Sequence, residues 1–483
     1  MKNNTVIASV SAVFCVACAG IDPPQPYGPV PTPCQLEWQK METNMFVHFG
    51  PNTFTDMEWG SGQEDADVFA PTDLDCRQWA RTAKAAGMKG IIITGKHHDG
   101  FCLWPNPMSR HTVAYGFWRD GKGDVLRELS DACREYGLKF GIYISPWDRN
   151  DPTYGTEEYN EVYMKTLEDA LGRYGDVFEQ WFDGACGEVP GGKRQVYDWP
   201  LFHQTVYRHQ PDAVIFSDVG PGCRWVGNEN GFAGETCWSR LDTAGFAPGK
   251  GAPVADTLQC GNVHGEAWVP AEADVSIRPG WFYRESEDDK VKTLDRLLEI
   301  YYGSVGRNAL LLLNVPPDRT GQICTVDSLR LMEFRAAQDE IFSADMAEGA
   351  TAVATDVRGH RTSGLFSPQN MLDGDYDTYW TTDDGVTEAS ATFALDGLQT
   401  FNRILIQEYI PLGQRVAGFN VEAQGPDGEW RVIADGTTIG YKRILFTDGP
   451  VTASAVRLNI IESYACPVLN KFSLHMDDIS LSF

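Results

Sequence analysis

Between about residue 36 and residue 343 the sequence alternates short, continuous apolar runs with longer stretches of helical period. Runs such as Gly90-Ile91-Ile92-Ile93-Thr94-Gly95 and Ala309-Leu310-Leu311-Leu312-Leu313-Asn314 leave no polar face for solvent. Strands of this kind are buried on both sides, which calls for a parallel sheet with helices packed outside it. The other predicted strands are Met45 to Gly50, Lys139 to Ser145, Val177 to Ala185 and Ala213 to Ser217. The intervening helices are expected at Thr72 to Gly87 (Thr72 or Asp73 near its cap), Asp124 to Gly137, Glu157 to Tyr174, Trp199 to His209 and Asp288 to about Gly303. Weaker segments lie at Arg224 to Glu229 and Ala267 to Ser276, and no clear helix separates the fifth and seventh units. About eight strand–helix units in about 300 residues is the expectation for an α/β chain closing into an irregular TIM-type (β/α)8 barrel. A doubly wound open sheet is the alternative, but the Gly-x-Gly-x-x-Gly fingerprint is missing.

From Ala350 onward the helical period vanishes. Ala389 to Leu395, Arg403 to Gln407, Gly418 to Ala423, Trp430 to Ile433, Ala455 to Ile460 and Phe472 to His475 alternate instead, separated by Gly, Pro and Asp. That spacing predicts a C-terminal β-sandwich over 350–483, after a barrel domain over 36–345. The first 18 residues carry Lys2 and a short apolar run, the pattern of a secretory signal peptide. Val16-Ala17-Cys18 resembles the end of a bacterial lipobox, with Cys15 where Leu is usual. Export to the periplasm, or outer-membrane anchoring through lipid on Cys18, is therefore expected, with residues 19–35 as a Pro- and Gly-rich tether. The twelve cysteines show no CxxC pair outside that leader, so no zinc framework is visible, and some are expected to pair after export. A net charge of −27 argues against nucleic acid and anionic membrane surfaces. The 14 Trp, 18 Tyr and 24 Phe suit sugar stacking as well as a large core.

Placing side chains at the carboxyl ends of the barrel strands, where such barrels keep their chemistry, collects His48, His97, His98, Tyr143, Trp181, Asp183, Glu229 and Trp281. Two chemistries compete. Three histidines and an aspartate could ligate zinc for a metal-dependent hydrolase, although H-x-H and H-E-x-x-H spacings are absent. Alternatively, two carboxylates hydrolyse a glycoside. Asp183, with Gly184 giving it room, would be the nucleophile, and a second acid would protonate the leaving oxygen. By pattern alone that acid is open among Glu58, Asp99, Glu229, Glu235, Glu272 and Asp274, all expected in loops.

These residues carry a resemblance. Gln78-Trp79-Ala80, Lys84-Ala85-Ala86-Gly87 and Lys96-His97-His98-Asp99-Gly100-Phe101, together with His48-Phe49-Gly50 and Trp181-Phe182-Asp183-Gly184, resemble the alpha-L-fucosidases of glycoside hydrolase family 29 in order and spacing. The resemblance runs from about Gln35 to Phe483. It implies an irregular TIM-type barrel followed by a β-sandwich, and a retaining mechanism with Asp183 as nucleophile and no catalytic cofactor. Trp225-Val226-Gly227-Asn228-Glu229 resembles the segment of the subgroup acting on 1,3- and 1,4-linked fucose, which implies Glu229 as acid/base. His48, Glu58, Trp59, His97, His98, Tyr143, Trp181, Trp225 and Trp281 would then bind fucosylated oligosaccharides or glycoconjugates. Leu372-Asp373-Gly374-Asp375 with Thr378-Tyr379-Trp380 resembles the discoidin-type sandwich of carbohydrate-binding modules, whose turn could hold a structural calcium. A non-catalytic glycan-binding protein on a hydrolase fold is the competing class, and the presence of both Asp183 and Glu229 counts against it.

Overall fold

The computed structural model describes residues 21–188, 192, 194–249, 253–360 and 364–478. The leader and Cys18 lie outside the described residues.

Ten strands precede the sandwich: β1 (Thr43–Val47), β2 (Gly90–Lys96), β3 (Lys139–Ile144), β4 (Glu179–Trp181), β5 (Val214–Ser217), β6 (Cys223–Trp225), β7 (Arg240–Leu241), β8 (Ala267–Trp268), β9 (Ala271–Ser276) and β10 (Ala309–Asn314). Eight of them close a barrel in the order β1-β10-β9-β6-β5-β4-β3-β2. Every pairing in it is parallel. Side-chain alternation sorts each strand into two faces. Met45, Val47, Ile91, Ile93, Ile142, Ile215, Leu311 and Leu313 join the outer core against the helices. Phe46, Ile92, Tyr143, Trp181, Phe216, Cys223 and Leu312 fill the barrel interior. On β9 the small Ala271 and Ala273 pack outward, so Glu272 and Asp274 point in, and on β4 Glu179 falls in step with Trp181.

The expected irregularity is real. Only residues 218–222 join β5 to β6, with no helix, and a Cβ on Gly222 would sit 2.4 Å from Ile215 N. Between β6 and β9 the chain makes the β7–β8 ladder and a short helix, Ala255–Cys260. The segment expected as one strand, Ala267 to Ser276, is therefore two. Pro270, which has no N–H for a ladder, separates the ladder strand from the barrel strand. Other boundaries also move. The third helix begins at Cys76 and is capped by Asp75, whose carboxylate accepts from Arg77 N, rather than by Thr72 or Asp73. The eighth begins at Leu294, capped by Thr293, because Glu285–Lys290 forms a separate 3-10 turn. Gly137, at φ +68, ends the helix Val125–Tyr136 in the left-handed conformation glycine adopts without strain. The expected tether is also corrected from Ile21 on. Tyr27 N donates to Leu412 O, Arg415 Nη2 donates to Gln25 O, and Thr32 caps a helix over Pro33–Gln39. This stretch is packed onto the sandwich rather than hanging free.

The C-terminal domain is antiparallel: β11 (Thr351–Ala354), β12 (Trp380–Thr381), β13 (Ala389–Glu408), β14 (Val416–Gln424), β15 (Trp430–Gly436), β16 (Arg443–Ser463) and β17 (Val468–His475). They form one hydrogen-bonded sheet in the order β12-β17-β13-β16-β14-β15, with β11 on β13. Two of the expected strands, Ala389 to Leu395 and Arg403 to Gln407, merge in β13, because register shifts rather than a turn absorb residues 395–402. The domain braces the barrel. Gln414 Oε1 accepts from Ser239 N (2.8 Å), its Nε2 donates to Cys237 O (3.0 Å), and Thr438 Oγ1 accepts from Cys237 N (2.8 Å). Among the described residues the ten cysteines are free thiols.

Candidate active site

β4 is only three residues long, which places Asp183 two positions past its end, where the chain leaves the barrel. Its carboxylate is held from two sides. Ala185 N donates to Oδ1 (2.7 Å), and the buried Tyr143 hydroxyl, at the end of β3, donates to Oδ2 (3.1 Å). Its side chain is 27% exposed, facing the pocket. Burial pushes the Asp183 carboxyl above its ordinary range, and the two donors oppose that rise. The need for glycine at 184 is steric: a Cβ there would lie 2.6 Å from both Asp218 carboxyl oxygens.

Three histidines line the next arc. His98 donates through Nδ1 to Ser145 Oγ (2.7 Å), because that hydroxyl already donates to Trp147 O (2.9 Å). Its Nε2 then carries a lone pair and stands 3.6 Å from Asp183 Oδ2. Burial, reinforced by Lys96 and Arg149, lowers the His98 pKa to about 3, so the ring is neutral. His48 is set the same way. Asn314 Oδ1, at the end of β10, accepts from both His48 N (3.2 Å) and His48 Nδ1 (2.9 Å). Burial lowers the His48 pKa to about 3 against that hydrogen bond. His97 stacks on Tyr143 with centroids 5.7 Å apart, and its Nδ1 is buried without a partner in the protein. The pocket therefore presents neutral imidazole nitrogens, suited to hydroxyl groups.

Aromatic walls complete it. Trp181 stacks on Phe216 (3.9 Å, 8°) and lies 5.1 Å from Tyr143. Trp281 packs 5.0 Å from His48 and its indole donates to Glu229 Oε2 (3.3 Å). Glu229 follows β6 and is solvent-exposed. Partial desolvation of its carboxyl at the pocket mouth and the Asp183 charge raise its pKa, against the Trp281 hydrogen bond. Trp225 donates to the buried Asp274 (2.8 Å), whose pKa is driven well up by burial and then by Glu229. Trp59 is 57% exposed at the rim and packs edge-on to Trp147 (5.9 Å), which in turn covers His98 (4.7 Å).

Glu58 is committed elsewhere than to an open subsite: it accepts from Trp281 N (2.7 Å) and from Arg284 Nη2 (2.6 Å). The other candidate acids sort by location. Glu272 and Asp274, expected in loops, are buried in β9, because the Ala-x-Ala-x-Val alternation turns the acids inward. Asp99 accepts from Asn52 and Phe101 N, buried, with its pKa pushed up to about 7. Glu235 pairs with Arg307 and its backbone oxygen faces the sandwich. Asn314, Trp147, Asp218 and Arg284 were missed in the sequence. Asn314 was discoverable as the one polar residue ending an otherwise apolar run, whereas the others sit in loops with no periodic signal.

The metal reading finds no converging ligands here. Among the described residues, the trios of His, Cys, Asp or Glu atoms within 4.8 Å of one another are Glu179/Cys223/Glu272 and Asp356/His360/Asp383. Neither contains a pocket histidine or Asp183. Asp373 accepts from Asp375 N and Thr378 Oγ1, and Asp375 from Asp377 N, so these carboxylates cap their own turn.

Comparison with known proteins gives consistent matches. The family model described as alpha-L-fucosidase matches residues 27–336, and that of the F5/8 type C domain matches residues 350–471. Alpha-L-fucosidase 1 of Arabidopsis thaliana is 42% identical over 459 residues, covering 95% of this chain and 89% of that one. The solved structure of SpGH29 superposes with a TM-score of 0.88 at 38% identity, covering 94% of this chain and 100% of that one. A Ruminococcus gnavus GH29 fucosidase determined in complex with fucose superposes with a TM-score of 0.87 at 31% identity, covering 96% and 98%.

Proposed function

The chain belongs to the alpha-L-fucosidases, glycoside hydrolase family 29, and from that premise we propose that it is an exo-acting, retaining enzyme that removes 1,3- or 1,4-linked L-fucose from glycans. The observation that carries the proposal is the placement of Asp183. It is a carboxylate held by two donors past a barrel strand end, 3.6 Å from the neutral His98, and its charge contributes to the raised pKa of Glu229.

In this reading Asp183 attacks the anomeric carbon. The Ala185 N–H and Tyr143 hydroxyl fix its orientation and keep it ionised against burial. Glu229 gives its proton to the leaving oxygen and then takes one from water as the glycosyl-enzyme is hydrolysed. A pKa raised by burial and by Asp183 suits the first task, and the exposed position after β6 gives water access for the second. Neutral imidazole nitrogens of His48 and His98 accept sugar hydroxyls, while Trp181 and Trp281 cover apolar sugar surface. Trp225, beside the Glu229 loop, favours a branched aglycone. Export with lipid on Cys18 belongs to the same proposal, and mass spectrometry of the membrane-extracted protein tests it.

The decisive experiment is chemical rescue. Asp183→Asn abolishes turnover of an aryl fucoside. Glu229→Ala slows natural glycans, and azide restores turnover of the activated fucoside with an α-fucosyl azide product, because azide displaces the β-linked glycosyl-enzyme. Rescue of Glu58→Ala in place of Glu229→Ala would reassign the acid/base. Preference for 1,2-linked fucose over Lewis-type trisaccharides would overturn the linkage assignment.

A further inference from the structure

Directly beneath the pocket, two acids meet inside the barrel. Glu179 on β4 and Glu272 on β9 are both 0% exposed. Each has one oxygen capped by an indole: Trp38 Nε1 donates to Glu179 Oε2 (2.7 Å), and Trp181 Nε1 donates to Glu272 Oε1 (2.9 Å). One oxygen of each acid and Cys223 Sγ lie within 4.8 Å of one another. Cys223 Sγ is 3.8 Å from Glu179 Oε1, and Glu272 Oε2 has no donor. Among the described residues no cation is directed at the pair. The buried Arg224 spends its guanidinium on the carbonyls of Leu258, Val269 and Trp238 and on Cys237 Sγ.

Two ionised carboxylates facing each other in a dry interior repel without compensation, and two separate neutral acids need two further acceptors. One proton between the free oxygens satisfies both groups and leaves each indole its acceptor. We propose that Glu179 and Glu272 share a single proton, and that this pair is the positioning device that holds Trp181 as a wall of the sugar pocket. The inference rests on the fucosidase reading only for the role of Trp181. Burial raises both acids, Glu179 to about 7 and Glu272 well beyond its usual range. The titratable neighbours are the Cys223 thiol, which burial raises above its ordinary range and so keeps neutral, and the Asp274 carboxyl, which burial also raises.

The arrangement makes a prediction that a merely space-filling pair does not. In Glu272→Gln or Glu179→Gln the amide oxygen keeps its indole, and the amide NH2 replaces the shared proton toward the remaining carboxylate. At neutral pH each single variant keeps the wild-type urea midpoint and stays within about threefold of wild-type kcat and KM. In the double variant both oxygens serve the indoles and two NH2 groups face each other. The midpoint then falls and KM on an aryl fucoside rises by about tenfold, a strongly non-additive cycle. Infrared difference spectra at neutral pH supply a readout that needs no double variant: a buried protonated-carboxyl band in wild type that is lost in either single variant. The shared proton is bound more tightly folded than unfolded, so wild-type stability relative to Glu272→Gln falls as pH rises from about 4.5 through the folded pKa. Additive effects, absence of the infrared band, or stoichiometric metal in the purified protein that Glu272→Gln loses would each overturn the proposal. Absence of fucosidase activity in wild type would instead refute the functional reading, leaving the midpoints and the spectrum to judge the pair.

Discussion

Replacing Asn314 with leucine tests how the pocket histidines are set. The side chains are close in volume, so the change removes polarity rather than bulk. Asn314 is fully buried and makes four hydrogen bonds, accepting from His48 N and Nδ1 and donating to Ser276 Oγ (2.9 Å) and Trp281 O (2.8 Å). The losses are unequal. Ser276 Oγ still donates to Gly280 O, and the Trp281 carbonyl is in a partly open position. His48 N–H and Nδ1–H, on a residue 5% exposed, lose their acceptor altogether. Each buried orphan costs about 1–3 kcal/mol, so the expected destabilisation is about 3–5 kcal/mol. The ring also loses what fixes its tautomer, so KM for an aryl fucoside rises by about tenfold, the equivalent of about 1.4 kcal/mol. Urea denaturation and steady-state kinetics on the same preparation measure both. In a His48→Ala background the Nδ1 share is already gone, and the cost of Asn314→Leu falls by about 1–3 kcal/mol. A cost below about 1 kcal/mol with unchanged KM, or equal costs in the two backgrounds, would refute the argument.

Four further expectations follow from the same geometry. Gly100 lies at φ +85, and a Cβ there would sit 2.3 Å from Asp148 Oδ1. Gly100→Ala therefore displaces Asp148 from its buried 2.9 Å pair with Lys96 and destabilises the protein by about 3–5 kcal/mol in urea titration; a loss under about 1 kcal/mol would contradict this. The Asp183 charge raises the Glu229 pKa, so Asp183→Asn lowers it, and carboxyl-carbon NMR of Glu229 in the two proteins measures the shift. In wild type, activity falls as pH drops through the raised Asp183 pKa, where the nucleophile protonates, and falls again as pH rises through that of Glu229. Gln414→Ala removes two buried bonds between the sandwich and the segment joining β6 to β9. It costs about 2–4 kcal/mol and speeds proteolysis within residues 226–270, whereas an unchanged cleavage pattern would show that the sandwich does not brace that segment.

Burial on both faces writes itself into composition, so the parallel barrel was legible wherever a strand was long enough to be a continuous apolar run, as at Gly90–Lys96 and Ala309–Asn314. The helices were legible for the same reason, and Trp199–His209 has the bounds its period predicts. Asp183 stood out because several other strand ends in the chain, at His48, His97 and Tyr143, carry the same kind of residue. What failed was local. β4 and β6 are three residues each, too short to show a period, and Pro270 divides a run that alternates smoothly on either side. Glu272 and Asp274 looked like loop acids because a charged residue in a strand contradicts hydrophobic patterning. Only closure of the barrel supplies the indoles of Trp181 and Trp225 that make their burial tolerable. The tautomers of His48 and His98 likewise depend on Asn314 and Ser145, whose side chains arrive from other strands and loops far along the chain. Sequence thus determined which residues are apolar, which acids end strands, and how the domains follow one another. The tertiary structure alone decided which polar groups meet, because partners in a hydrogen bond are chosen by distance in space, which the spacing of residues along a chain does not encode.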